Sequence, residues 1–144
     1  MKKIKDCRGE IISPVPANGC DIGYIAGEIK RIADEKGIPA IVSIEEISTG
    51  GLFGKTMPCI IISHPNPPIS YFDHMIIMNG DILNFQFWGF SKANYNNNMK
   101  EMDRKSGKLS GLIKSAVRSD MSMELQTEQV WHMQLISIYE DMCS

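Results

Sequence analysis

Between Tyr71 and Trp88 the chain passes through two apolar runs joined by Asn79-Gly80, and no other feature of its 144 residues restricts the fold as much. Asn-Gly between apolar runs predicts a tight hairpin, because both residues tolerate the positive φ of a two-residue turn. With Asn79 and Gly80 as the loop, Ile77 faces Ile82, Ile76 faces Leu83, Met75 faces Asn84, His74 faces Phe85 and Phe72 faces Phe87. Side chains alternate along a strand. One hairpin face therefore gathers Phe72, His74, Ile76, Met78, Leu83, Phe85 and Phe87, which reads as core. The other gathers Tyr71, Asp73, Met75, Ile77, Ile82, Asn84, Gln86 and Trp88, a mixed surface suited to recognition. A slip of two residues in register keeps these faces, whereas a slip of one exchanges them.

The flanking sequence places this hairpin in an α+β domain. Residues 1–20, with Pro14, Pro16 and Gly19, read as an irregular lead-in. Asp21 is placed to cap a helix whose apolar stripe is Ile22, Ile25, Ile29 and Ile32, and Gly37 and Pro39 mark its end. Residues 40–47 and 58–64 read as two strands, and the unbroken apolar run Cys59-Ile60-Ile61-Ile62 predicts that the second is covered on both faces. Residues 91–105 are polar and read as a loop. Leu109, Leu112, Ile113, Ala116 and Val117 fit one face of a helix, and residues 127–142 form a last helix striped by Trp131, Leu135, Ile138, Tyr139 and Met142. The expected fold is a single domain over residues 1–144. It has an antiparallel four-stranded sheet with one N-terminal and two C-terminal helices, in the order α-β-β-β-β-α-α.

Composition narrows the function. A net charge of −2 gives no general attraction to nucleic acid or membrane. The charge is uneven, however: residues 91–120 hold seven Lys/Arg against three Asp/Glu, and residues 121–144 hold four acids and no Lys/Arg. Complementary neighbouring surfaces explain this most simply. No apolar run is long enough to span a bilayer, and no apolar segment follows Met1-Lys2-Lys3 as a secretory signal requires. Cys7, Cys20, Cys59 and Cys143 are scattered without Cys-x-x-Cys spacing, which points to reduced thiols in the cytoplasm.

Motif by motif, the chemistry thins out. Thr49 to Thr56 approaches a phosphate-binding loop, but Thr49 stands where the first glycine belongs, and strand-like sequence follows where a helix is needed. Gly23 and Gly27 in the first helix suggest a face thinned for close packing on the sheet. Cys59 and His64 fall on opposite faces of one strand, which separates them as a nucleophile–base pair. Asp73 and Asp81 do not form a carboxylate pair by spacing. His74 lies on the apolar hairpin face with no acid placed to orient it, so a hydrogen-bonded core histidine is the simpler reading.

No catalytic, cofactor-binding or metal-ligating set emerges. Met99, Met102, Met121 and Met123, four of ten methionines, gather in and after the polar segment, and thioethers suit adaptable contact surfaces. The leading expectation is a small cytoplasmic module that binds another protein or itself as a homodimer. Its contact surface is expected at Tyr71, Met75, Gln86 and Trp88. One alternative is a hydrolase or transferase with a polar site near His74. The other is nucleic-acid binding through the basic residues 92–118, which the interspersed Glu101 and Asp103 weaken.

Overall fold

A computed structural model describes residues 2–4, 7–50, 54–65, 72–89 and 123–143 of the chain. Its strands are β1 (Lys2–Lys3), β2 (Cys7–Pro16), β3 (Ile41–Ser48), β4 (Thr56–Ser63), β5 (Phe72–Asn79) and β6 (Ile82–Gly89). Helix α1 spans Ile22–Glu35 and α2 spans Met123–Cys143. The strands form one sheet in the order β1-β3-β4-β5-β6-β2. Five of them, β3-β4-β5-β6-β2, are antiparallel throughout, and only the two-residue β1 lies parallel to its neighbour β3. The expected α+β fold with an antiparallel sheet is present, with more strands than the four expected. The expected helix at 109–117, the loop at 91–105 and the basic segment lie outside the described residues.

The hairpin forms with the expected faces, but its register is displaced by two. Asn79 pairs with Ile82, Met78 with Leu83 and Ile77 with Asn84, so the loop residues are Gly80 and Asp81 rather than Asn79 and Gly80. Gly80 adopts φ 62°, the conformation that a Gly-X loop needs at its first position. A distant contact selects this turn. The Asp81 carbonyl accepts from Ala17 N at 2.7 Å, and its carboxylate accepts from Gly19 N at 2.9 Å, tying the hairpin tip to the β2–α1 turn.

Residues 7–16 are a strand, not an irregular lead-in. β2 pairs with β6 from Cys7–Trp88 to Pro16–Ile82, with three register shifts on the way. These irregularities let Gly9, Pro14 and Pro16 sit in an edge strand, where proline costs no central ladder bond.

Helix α1 follows its local signals. Asp21 Oδ1 accepts from Tyr24 N at 2.7 Å at the start. At the end Ile38 N donates to the Ala33 carbonyl (2.8 Å) and Gly37 N to Asp34 (3.2 Å), with Gly37 at φ 70°. This is a Schellman termination, and it turns the apolar Ile38 inward. Gly23 and Gly27 are not a packing face: both are exposed, and a Cβ on Gly27 would meet nothing within 4 Å. Gly27→Ala is therefore expected to raise stability by about 0.5–1 kcal/mol, read as an increased urea midpoint, through helix propensity and a less flexible unfolded chain. A lowered midpoint would show that the backbone there is needed for something else.

Both helices cover the Phe85 face. Ile25, Ile29 and Ala33 of α1 and Trp131, Leu135, Ile138 and Tyr139 of α2 meet Ile60, Ile62, Ile76, Leu83 and Phe85 in one buried cluster. The opposite face holds a second buried cluster of Ile47, Cys59, Ile61, Met75, Ile77 and Trp88, against which Cys7 and Met57 pack. Hence β4 is buried from Cys59 to Ile62 on both sides, as its uninterrupted apolar run implies.

Candidate functional site

The polar centre of the molecule is a linear array under α2. His74 Nδ1 lies 2.8 Å from the Tyr139 hydroxyl, and His74 Nε2 lies 2.6 Å from His132 Nδ1. The two imidazoles are parallel, with centroids 4.8 Å apart. Phe87 meets His74 edge-on, and Trp131 tilts against it while donating its indole N–H to the Pro39 carbonyl at 2.6 Å. A neutral imidazole donates from one nitrogen and accepts at the other. The chain of protons therefore has a single sense. Either the Tyr139 O–H donates to Nδ1 while Nε2–H donates to His132, or both bonds run in reverse.

Electrostatics keep His74 and Tyr139 neutral. Burial, with a smaller contribution from neighbouring His132, holds His74 well below the ordinary histidine pKa. Burial likewise lifts the Tyr139 hydroxyl well above the usual tyrosine value. His74 is 0 % exposed and both ring nitrogens are engaged. The imidazole thus has the surroundings of a satisfied core polar group, with a tyrosine and a histidine in the place where catalytic histidines carry an orienting acid.

Two of the thiols, Cys59 and Cys143, are equally unprepared for attack. None of the four cysteines is in a disulfide. Burial and the charge of Glu45 push Cys59 up to about 11, and burial raises Cys143. At neutral pH neither is a thiolate, the form that reacts. Cys59 lies in the second cluster, whereas the His64 ring meets Trp131 on the helix side at 5.3 Å, so the sheet separates them. Asp73 and Asp81 stand at opposite ends of the hairpin. Among the described residues no group of three His, Cys, Asp or Glu is arranged to hold a metal ion.

The loop from Thr49 to Lys55 closes on itself: Lys55 N donates to Thr49 Oγ1 at 2.8 Å and Thr49 N to the Lys55 carbonyl at 2.9 Å. Strand β4 begins at Thr56, so no helix N-terminus follows the lysine. A phosphate loop depends on that terminus.

The expected contact surface separates into different environments. Met75 is 0 % exposed and Trp88 6 %, so both belong to the second cluster instead of an open patch. Alternation placed them correctly on one face but carries no information about what buries that face. Gln86 is half-buried and lines a groove of about 460 Å³ with Asn79, Asn84, Met57 and Ile4. Tyr71 lies outside the described residues.

What the described residues leave without a strand partner instead is most of one sheet edge. β3 is fully paired with β4 on one side, from Ile41–Ser63 to Ser48–Thr56. On the other, among the described residues, it meets Lys2 and Lys3, opposite Ile47 and Ser48. Residues 41–46 therefore have no strand partner on that side among the described residues. Ile41 and Ile44 there are 53 % and 51 % exposed. The two edges of the sheet differ in kind. β2 has prolines and register shifts, the usual blunting of an edge, while Ile41–Ser48 is regular, β-branched and free of proline. In the sequence, the adjacent Glu45 and Glu46 were the one visible sign of an exposed strand.

Compared with family models, curated proteins and solved structures, the chain matches none. Among the described residues no helix is long and apolar enough to cross a membrane.

Proposed function

We propose that this protein is a non-catalytic protein-binding module that accepts an extended segment as an added strand along β3. The single observation that supports this reading is the regular edge at residues 41–46, which has no strand partner among the described residues and carries two half-exposed isoleucines. An open edge offers alternate N–H and C=O groups as a template, and apolar side chains beside it give the added strand something to bury. The histidine–tyrosine array fits the same reading, since both ring nitrogens of its central residue, His74, are engaged by Tyr139 and His132.

The test is selection of peptides from a random displayed library against the native protein, with Ile44→Lys as counter-selection. Ile44→Lys changes an exposed position, and a preserved circular dichroism spectrum would show the fold intact. Peptides that bind the native protein, fail on Ile44→Lys and lose binding when alternate backbone nitrogens are methylated support strand addition. A selection in which no peptide distinguishes the two proteins overturns it. Sedimentation at increasing concentration applies the same logic to a second copy as the added strand.

A further inference from the structure

We infer that the segment β3 accepts is basic, carries two adjacent lysines after a run of aliphatic residues, runs parallel to β3, and displaces β1 when it binds; this rests on the strand-addition reading above. The chain itself supplies the precedent. β1, which is Lys2-Lys3, already lies parallel on this edge, with Lys2 opposite Ile47 and Lys3 opposite Ser48. Lys2 Nζ donates to Glu45 Oε1 at 2.9 Å. The edge is thus occupied at one end by an extended lysine-bearing segment, held by a ladder and an ion pair together.

Charge continues this pattern along the strand. Glu45 and Glu46 project from opposite faces because side chains alternate, and both are exposed. Glu46 has no ion pair among the described residues. No lysine or arginine lies in Ile41–Ser48 to offset the two carboxylates. An acidic or neutral strand laid here would leave Glu46 without a counter-charge and would have to break the Lys2–Glu45 pair without replacing it. A lysine-bearing strand replaces that bond and adds one, while its aliphatic residues cover Ile41 and Ile44. Like charges placed directly across a ladder destabilise it and opposite charges support it.

β1 is poorly anchored as an occupant. It contributes two paired residues, and its ion pair is exposed, a class that contributes little to stability. A longer segment spanning Ile41 to Ser48 makes several times more ladder contacts and therefore wins the exchange.

The experiment uses the full chain and a dye-labelled heptapeptide of five valines followed by two lysines, with fluorescence anisotropy as the readout. Two control peptides carry glutamate in place of lysine, or the same lysine sequence with alternate backbone nitrogens methylated. Saturable binding is expected for the lysine peptide alone. Glu45→Lys should weaken it at least tenfold, and Lys2→Ala should tighten it severalfold by removing the competitor. Tightening by Lys2→Ala is the signature that general attraction of opposite charges does not produce in that size. Equal binding of the lysine and glutamate peptides, both lost on methylation, overturns the basic partner and leaves strand addition standing. Binding of the methylated peptide as well as its parent overturns the inference as simple charge attraction. No binding by any peptide, together with a failed library selection, overturns both.

Discussion

Phe85→Ala is expected to lower the unfolding free energy by about 3–5 kcal/mol, the range for truncating a buried aromatic. The side chain is 2 % exposed on the helix-covered face and stacks at a tilt on Tyr139, with ring centroids 5.0 Å apart. Its removal leaves a void between β6, α1 and α2, and Tyr139 loses one of the rings that hold its hydroxyl toward His74. Chemical denaturation at neutral pH measures the change, and a loss under 1 kcal/mol would show that the helices collapse onto the gap. Asn84→Ala, a neighbouring half-buried position on the other face, is the control, since surface-type substitutions usually fall within about 0.5 kcal/mol.

Stability is expected to fall steeply as the pH drops below the ordinary histidine value of 6.5. His74 has a folded-state pKa well below that value, so the unfolded chain takes up the proton first. Its contribution is complete above about pH 6.5 and is lost as the pH falls toward the folded-state value. Tyr139, His132, Trp131 and Phe87 surround the ring. With burial holding the Tyr139 proton in place, none of these supplies a negative charge to offset an imidazolium. Thermal midpoints at half-unit steps from pH 8 to 5 measure the effect. His74→Gln should melt lower than the native protein at pH 8 and show a shallower decline toward pH 5. A native midpoint that stays level across that window would mean that the array relaxes to admit a charge.

Local signals were legible in this sequence, and distant ones were not. Asp21, the isoleucine stripe and Gly37 defined α1 because a cap, a face and a stop all act within one helix. Hairpin faces followed from alternation, but the register did not. Asn79-Gly80 and Gly80-Asp81 are both competent turns, and the choice depends on bonds from Ala17 and Gly19, whose nearest sequence signal is only a proline-rich run. The same distance hid β2, because Pro14, Pro16 and Gly9 argue against a strand until β6 stands beside them. The His74–His132–Tyr139 array joins residues 58 and 65 positions apart. One clue was present: His132 and Tyr139 are seven apart on a helix and so share a side, facing a hairpin that already held a buried histidine. Gly23 and Gly27 were misread because small-residue spacing looks alike on a packed and an exposed face.

The pairing of β2 with β6 also sets an order of events during synthesis. β2 ends at Pro16, and its partner begins at Ile82. At about 5–20 residues per second, the first strand leaves the ribosome several seconds before the second exists. Through that interval β2 is an unpaired extended segment with Ile11, Ile12 and Val15 uncovered. Its prolines and Gly9, which look like defects in the finished sheet, make it a poor template for any neighbouring nascent chain during the wait.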